Sequence, residues 1–196
     1  HWDLADNTAG IGFTGDEFDM NTNFANGFSI YMTAYNAQAV STYDHLWGIG
    51  SMTWPEFNGI LSYMYNNNIS IGFGPTTWDN NVSLPNGETN NILFIIDINN
   101  MGKIYKNGTL AASTTSAFSR SVSQLGGGNN THFTIGLNAH GMDIGYQWIG
   151  SVTNIKIWNS AVDWNTAHNY DPNASAGLAL TNASIKYGNS INLQMK

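Results

Sequence analysis

Apolar residues alternate with small or polar residues along several short segments of this chain. The alternation is clear at residues 28–32, 59–65 and 69–73, and it returns at residues 133–137 and 191–195. A repeat of two residues is typical of a β-strand that buries one face, because successive side chains point to opposite sides of a sheet. These segments are therefore predicted to be strands, and the last of them is expected to be the closing strand.

Turn-forming residues separate the predicted strands. Three consecutive asparagines occupy residues 66–68, and an Asn-Gly pair occupies residues 107–108. An Asn-Gly pair between alternating segments is a strong hairpin signal, because both positions adopt positive φ. The apolar run at 92–96 and the segment at 149–158 add two further strands, and residues 160–170 form the one segment with a helical pattern.

Many short strands with turn signals between them indicate a β-sandwich or a barrel. We predict an all-β fold, a two-sheet antiparallel β-sandwich (jelly roll), with at most one short helix near residues 160–170. No repeat, linker or change of composition divides the chain, so residues 1–196 are expected to form a single lectin-like domain. Its abrupt ends and lack of a targeting segment favour a domain excised from a larger surface, secreted or phage tail protein.

The composition of the chain excludes several classes of binding partner. The chain has a formal net charge of −7 and a single arginine, Arg120, so it lacks the basic face that nucleic-acid binding needs. Its longest apolar run, residues 92–96, is far shorter than the roughly 20 residues of a membrane span, so no membrane insertion is expected. The absence of cysteine excludes disulfides and thiolate metal sites.

Several segments, taken in order, resemble one superfamily. Residues 10–15 and 28–30 resemble an opening F-x-G and F-S-I strand pair, and residues 97–110 resemble a G-K-x-x-Y-x-N-G-x-L hairpin. Residues 135–137 and 148–158 resemble an I-G strand followed by a strand that ends in I-W. In this order the chain resembles the concanavalin A-like lectin/glucanase superfamily, in its laminin-G-like and pentraxin-like branch of the carbohydrate-binding-module type. The resemblance implies the jelly roll and names no ligand, since this fold serves lectins, glycosidases, lyases and adhesion modules.

Catalytic patterns are missing from the sequence. Glycosidases place two carboxyl groups across the scissile bond, but Glu17, Glu56 and Glu88 are the only glutamates and none lies in such a pattern. The densest acidic cluster, at residues 16–19, is more simply an exposed turn or strand. The four internal histidines lack the spacing of a zinc site and a recognisable nucleophile partner. The chain is therefore predicted not to be an enzyme, and a divergent glycoside hydrolase or polysaccharide lyase is the more distant alternative.

Aromatic rings and amides are the groups that bind sugars, and this chain has seven tryptophans and 28 asparagines. Trp47 and Trp158 lie in apolar strands and are expected in the core. Trp54 and Trp78 lie in polar segments that read as loops, so they are candidate ligand contacts. Trp148 begins a predicted strand and could belong either to the core or to the rim of a site.

The pentraxin-like resemblance implies a site built from two loops, residues 56–58 and 138–147. The same residues could hold calcium, although the loops contain fewer carboxylates than calcium prefers. Calcium is therefore a possible cofactor, with Asp143 as its ligand beside Glu56, Asn58 and Asn138. The complete set of candidate ligand-binding residues is Trp54, Glu56, Asn58, Trp78, Asn138, His140, Tyr146 and Trp148.

These observations predict a non-catalytic carbohydrate-binding module. Its expected ligand is a neutral polysaccharide or cell-surface glycan, because an acidic, Lys-poor chain suits a neutral glycan better than a polyanion. The module would serve adhesion or targeting of a larger protein, such as a phage protein that attaches to the host cell wall, and an oligomeric parent protein is compatible with this role. An extracellular, cell-surface or virion location is expected. The leading alternative is a laminin-G-like protein-binding or structural domain.

Overall fold

The structure of the chain is a computed structural model. The residues it describes are 2–4, 11–14, 23–39, 43–51, 58–73, 76–120, 122, 125, 132–136, 148–170 and 184–185. The closing strand predicted at residues 191–195 lies outside these residues.

The described residues form thirteen strands and a short helix. In chain order they are β1 (Trp2–Leu4), β2 (Ile11–Thr14), β3 (Phe28–Asn36), β4 (Asp44–Ser51), β5 (Asn58–Tyr65), β6 (Asn68–Phe73), β7 (Thr76–Ser83), β8 (Thr89–Ile96), β9 (Gly102–Lys106), β10 (Thr109–Ser113), β11 (His132–Ile135), β12 (Gly150–Trp158), α1 (Trp164–His168) and β13 (Ser184–Ile185).

The strands form two sheets. The first sheet has the order β1-β12-β3-β8-β9-β10, and the second has the order β13-β2-β11-β4-β5-β6-β7. All neighbouring strands within these sheets pair antiparallel. The prediction of an all-β, two-sheet antiparallel sandwich is confirmed.

The core lies between the two sheets and follows the predicted alternation. Ile60 and Met64 of β5 are fully buried and face the first sheet, whereas Tyr65 of the same strand is 44% exposed. Trp47 is also fully buried in this core, as its apolar strand predicted. Trp158 differs from its prediction: it is half-buried on the outer face of the first sheet, because Ile157 beside it takes the core-facing position.

The predicted hairpin turns are present and use positive φ. Asn66 and Asn67 have φ of 49° and 58°, and Asn107 and Gly108 have φ of 50° and 89°. The Asn107 side chain also stabilises its turn, since its Oδ1 accepts a hydrogen bond of 2.8 Å from the Asn91 N–H. The turn signals in the sequence therefore locate the β5–β6 and β9–β10 hairpins correctly.

Helix α1 lies on the outer face of the first sheet, within the segment 160–170 that was predicted to be helical. The Asp163 carboxylate caps it by accepting a hydrogen bond of 2.7 Å from the Thr166 N–H. Lys156 of β12 holds the other end, because its Nζ donates to the carbonyls of Ala167, His168 and Tyr170 at 3.0, 3.3 and 3.2 Å. This side of the first sheet is thus covered by the protein itself.

His45 of β4 makes the fold sensitive to acid. It is 7% exposed, and burial lowers its pKa to about 4, whereas an unfolded histidine titrates near 6.5. The stability that the neutral ring contributes is complete above pH 6.5 and is lost as the pH falls toward 4. Between pH 7 and pH 4 the native protein should therefore lose about 3 kcal/mol more unfolding free energy than H45Q, measured by urea denaturation. Parallel pH profiles for the two proteins would contradict this expectation.

Candidate functional site

A groove opens where the edges of the two sheets meet. Strand β7 is the edge of the second sheet, β10 is the edge of the first, and these two strands contact each other. The groove has a volume of about 340 Å³ and lies between Trp78 of β7 and the segment that follows β10. We call it the Trp78 groove, and it is lined by Trp78, Ser113, Thr114, Thr115, Ser116, Ala117, Phe118 and Ser119.

Trp78 lies in a strand, so the prediction that placed it in a loop is wrong. Its backbone pairs with Ile71 of β6, and its half-buried ring packs against the core between the sheets. The polar residues that suggested a loop coincide with an irregularity in this strand: the register between β6 and β7 shifts so that residues 80–81 are left without partners in the ladder. Such bulges blunt an edge strand and allow polar residues there.

The position of the Trp78 ring depends on two neighbours. Phe118 packs edge-on against it, with the ring centroids 6.2 Å apart and the planes at 72°. Phe118 is itself stacked on Phe73 of the core at 4.4 Å. On the other side the ring covers Gly102, where an added Cβ would lie 2.7 Å from Cζ3 of Trp78. Gly102 therefore provides the space that the indole ring occupies.

Hydrogen bonds hold the opposite wall of the groove in place. The Thr114 N–H donates to the Gly102 carbonyl at 2.9 Å, and the Gly102 N–H donates back to Thr114 Oγ1 at 3.0 Å. The Phe118 N–H donates to the Asn100 carbonyl at 2.9 Å. The wall between these anchors carries exposed hydroxyl side chains, those of Ser113, Thr115, Ser116 and Ser119.

The Trp78 groove therefore combines one aromatic ring with several hydroxyl groups. Among the described residues, no charged side chain lines it. Such a surface suits an uncharged ligand that has an apolar face and many hydroxyls of its own. It offers no carboxylate or imidazole for acid–base chemistry within the part of the groove that the structure describes.

Most of the other predicted site residues lie outside the part of the chain that the structure describes. Asn58 is described only through its backbone, as the first residue of β5. Trp54, Glu56, Asn138, His140, Asp143 and Tyr146 lie outside the described residues. The two-loop site and its calcium ion stay predictions, and the described part of the chain contains no group of three or more His, Cys, Asp or Glu that could hold a metal.

Trp148 is a structural residue, and its assignment as a ligand contact is corrected here. Its side chain is fully buried, and its Nε1 donates a hydrogen bond of 3.3 Å to Asn36 Oδ1. The Asn36 amide in turn donates to the Leu84 carbonyl at 2.9 Å. Position 150 has no room for a side chain, since a Cβ on Gly150 would lie 2.6 Å from Cζ2 of Trp148. A ring enclosed in this way has no face to offer a ligand.

Sequence reasoning missed the second wall of the groove. Residues 113–119 are small and polar and lie in a Ser/Thr-rich connection, which carries no motif by itself. Their only signal is an unusual density of hydroxyls next to Phe118. These hydroxyls form a wall of the groove only because β10 lies beside β7 in the folded chain.

None of the helices in the described residues is long and apolar enough to cross a membrane. No family model matches the sequence, and no curated protein matches it.

Solved structures with a similar fold include a carbohydrate-binding module of a sialidase and two whole sialidases. The CBM40 module of the Ruminococcus gnavus IT-sialidase, bound to α2,3-sialyllactose, matches with a TM-score of 0.67 at 13% identity, over 85% of this chain and 92% of that one. The leech intramolecular trans-sialidase matches with a TM-score of 0.63 at 18% identity, over 90% of this chain and 27% of that one.

The NanB sialidase from Streptococcus pneumoniae matches with a TM-score of 0.64 at 14% identity, over 86% of this chain and 27% of that one. The chain thus spans about a quarter of each of these two sialidases and nearly all of the isolated module. Identities this low show a shared fold alone. The chain shares the β-sandwich fold of these proteins, and the laminin-G-like or pentraxin-like branch stays a prediction.

Replacing Gly102 by alanine should displace the Trp78 ring. The new Cβ would lie 2.7 Å from Cζ3 of Trp78 and 3.1 Å from Cε2 of Phe118, and the backbone is held by Thr114. We expect G102A to lose about 1–3 kcal/mol of unfolding free energy, the usual cost of overpacking, and to change the near-UV circular dichroism of tryptophan. Because the smaller ring in W78F relieves the clash, G102A should cost much less in a W78F background. An equal cost in both backgrounds would contradict this packing.

Proposed function

We propose that this chain is a non-catalytic carbohydrate-binding module that binds a neutral glycan in the Trp78 groove. One observation carries the proposal: a half-buried indole ring forms one wall of a groove whose other wall carries serine and threonine hydroxyls, and none of the described lining residues is charged. The ring of a sugar has an apolar face that packs on an aromatic side chain. Its hydroxyls then form hydrogen bonds with polar groups at the rim.

The size of the groove agrees with this ligand class. Its volume of about 340 Å³ lies in the range of sites that bind small molecules, roughly 300–1,000 Å³. Its walls are pre-formed, because Thr114 and Phe118 are tied to the β8–β9 hairpin by backbone hydrogen bonds. Pre-formed walls lower the entropy lost on binding, which matters for a ligand as flexible and well hydrated as a glycan.

None of the described residues that line the groove is cationic, and this favours a neutral sugar. A carboxylated sugar such as the sialic acid of sialyllactose is best recognised by a guanidinium or ammonium group. Two of the described lysines have partners elsewhere: Lys156 donates to three carbonyls below α1, and Lys106 donates to the Ser83 carbonyl at 2.6 Å. No described lysine or arginine lines the Trp78 groove. The module would therefore share a fold with the sialic-acid-binding module while binding a different class of sugar.

The biological role that fits this activity is attachment. A binding module without catalytic groups would target or anchor a larger protein at a glycan-covered surface. We place it outside the cell, at a cell surface or on a virion, where it could attach a phage to its host cell wall. Several copies in an oligomeric parent protein would raise a weak affinity through avidity.

The proposal is tested by screening the purified domain on an array of bacterial cell-wall and other polysaccharides, with calcium and again with EDTA. W78A should abolish binding in the Trp78 groove. Because W78A also removes core packing, the double variant T115A/S116A gives a second readout. Both of its residues are exposed, so we expect its stability to stay unchanged. Its affinity for the glycan should fall roughly tenfold.

The matched control is S83A/T89A, which removes two equally exposed hydroxyls outside the groove and should bind as the native chain does. Native-like binding by both W78A and T115A/S116A would exclude the Trp78 groove as the site. Failure of the folded native domain to bind any saccharide would exclude the carbohydrate function. Loss of binding in EDTA would support the calcium that the loop sequences allow.

A further inference from the structure

A second aromatic surface lies on the opposite face of the second sheet. Tyr43, just before β4, stacks on Tyr65 at the end of β5, with the ring centroids 4.8 Å apart and the planes only 16° from parallel. Tyr63 contacts the Tyr43 ring at 5.5 Å. The two stacked rings are 52% and 44% exposed, whereas Tyr63 is 8% exposed. We call Tyr43 and Tyr65 the tyrosine platform.

The platform is separate from the Trp78 groove. Ile60 and Met64 of β5 face the core, so Tyr63 and Tyr65, at alternate positions, face outward. Trp78 pairs with core-facing Ile71 and packs against the core, so it lies on the inner side of the same sheet. One sugar ring cannot contact both sites, because the sheet lies between them.

Packing alone does not account for the exposure of these rings. Burial of a tyrosine ring stabilises a fold mainly through the area removed from water, and both rings leave about half of their area in solvent. The two rings stack on each other, and about half of each residue stays exposed to solvent. Each tyrosine carries a phenol hydroxyl, and the exposed Asn66 follows Tyr65 directly in the hairpin turn.

The chemistry of the platform favours a sugar over a protein partner. Flat ring faces beside hydroxyl and amide groups suit the apolar face and the rim hydroxyls of a pyranose. The other exposed large hydrophobic residues of the described chain, Tyr35, Ile98 and Leu110, belong to the first sheet or its hairpins. Two half-exposed tyrosines offer far less than the roughly 800 Å² per partner that a stable protein interface buries.

We infer that the tyrosine platform is a second carbohydrate contact, which binds an uncharged pyranose by stacking. This inference rests on the proposed function for its ligand class but uses different residues on a different face. A module with two contacts would bind two chains, or two distant parts of one polysaccharide, and would gain avidity from their linkage.

The test measures how many short oligosaccharides bind to each chain. A panel of uncharged hexasaccharides of glucose, mannose, xylose and N-acetylglucosamine is titrated into the folded native domain, and the stoichiometry is measured by calorimetry and native mass spectrometry. We expect two molecules per chain for the best probe. The double variant Y43A/Y65A should bind one molecule, in the Trp78 groove. W78A should also bind one molecule, on the tyrosine platform.

Conservative and matched variants separate stacking from folding. Y43F/Y65F keeps both rings and should retain the second site with at most a few-fold weaker affinity, whereas Y43A/Y65A should weaken it at least tenfold. Y35A removes a tyrosine of similar exposure, 38%, from the first sheet and should leave both sites intact. Thermal unfolding of each variant shows whether the fold is retained.

The outcomes distinguish the two hypotheses. One bound molecule, lost in W78A and unchanged in Y43A/Y65A, would overturn the platform and leave the groove in place. One bound molecule, lost in Y43A/Y65A and unchanged in W78A, would support the platform and overturn the groove. No binding of any probe by the native domain would overturn both.

Discussion

Large aromatic side chains hold the two sheets at a fixed distance, and the rest of the structure depends on this packing. Trp47 extends from the second sheet to the first, where its ring lies 5.6 Å from that of Phe28 and 5.3 Å from that of Phe94. Trp148 fills the same layer and is anchored by its hydrogen bond to Asn36. At the edge where β7 meets β10, the half-buried Trp78 ring packs against this same core.

This packing lowers stability in one respect, because it buries polar atoms that form no hydrogen bond. Among the described residues, the buried Trp47 Nε1 and Ser62 Oγ have no hydrogen-bond partner, and these two residues are neighbours across the β4–β5 ladder. A buried polar group without a partner costs about 1–3 kcal/mol. The contacts of the indole ring with Phe28 and Phe94 offset that cost, since a ring of this size removes a large apolar area from water. Volume, rather than hydrogen bonding, thus decides which residue occupies position 47.

The outer face of the first sheet and the open edge of the sandwich have different roles. The outer face of the first sheet is covered by α1, where Tyr31 packs against Trp164 and its hydroxyl shares a hydrogen bond of 2.8 Å with His168. The open edge instead leaves the Trp78 ring half-covered and surrounds it with hydroxyls. The proposed binding site uses this arrangement, a rigid frame with a half-covered aromatic ring at its edge, and such a frame would need no conformational change to bind a ligand.

The sequence by itself determined the strands and their turns, because these depend on local rules. A period of two predicts β3, β5 and β6, and the Asn-Gly pair at 107–108 predicts its hairpin from the positive φ that both residues adopt. Only the tertiary structure decided which tryptophan is enclosed and which stays partly open. Trp148 and Trp78 both lie beside polar residues in the sequence, and their burial depends on which strands pair and where β7 bulges. The groove unites residue 78 with residues 113–119, and no local pattern encodes that contact, since it arises from the order of strands in two separate sheets.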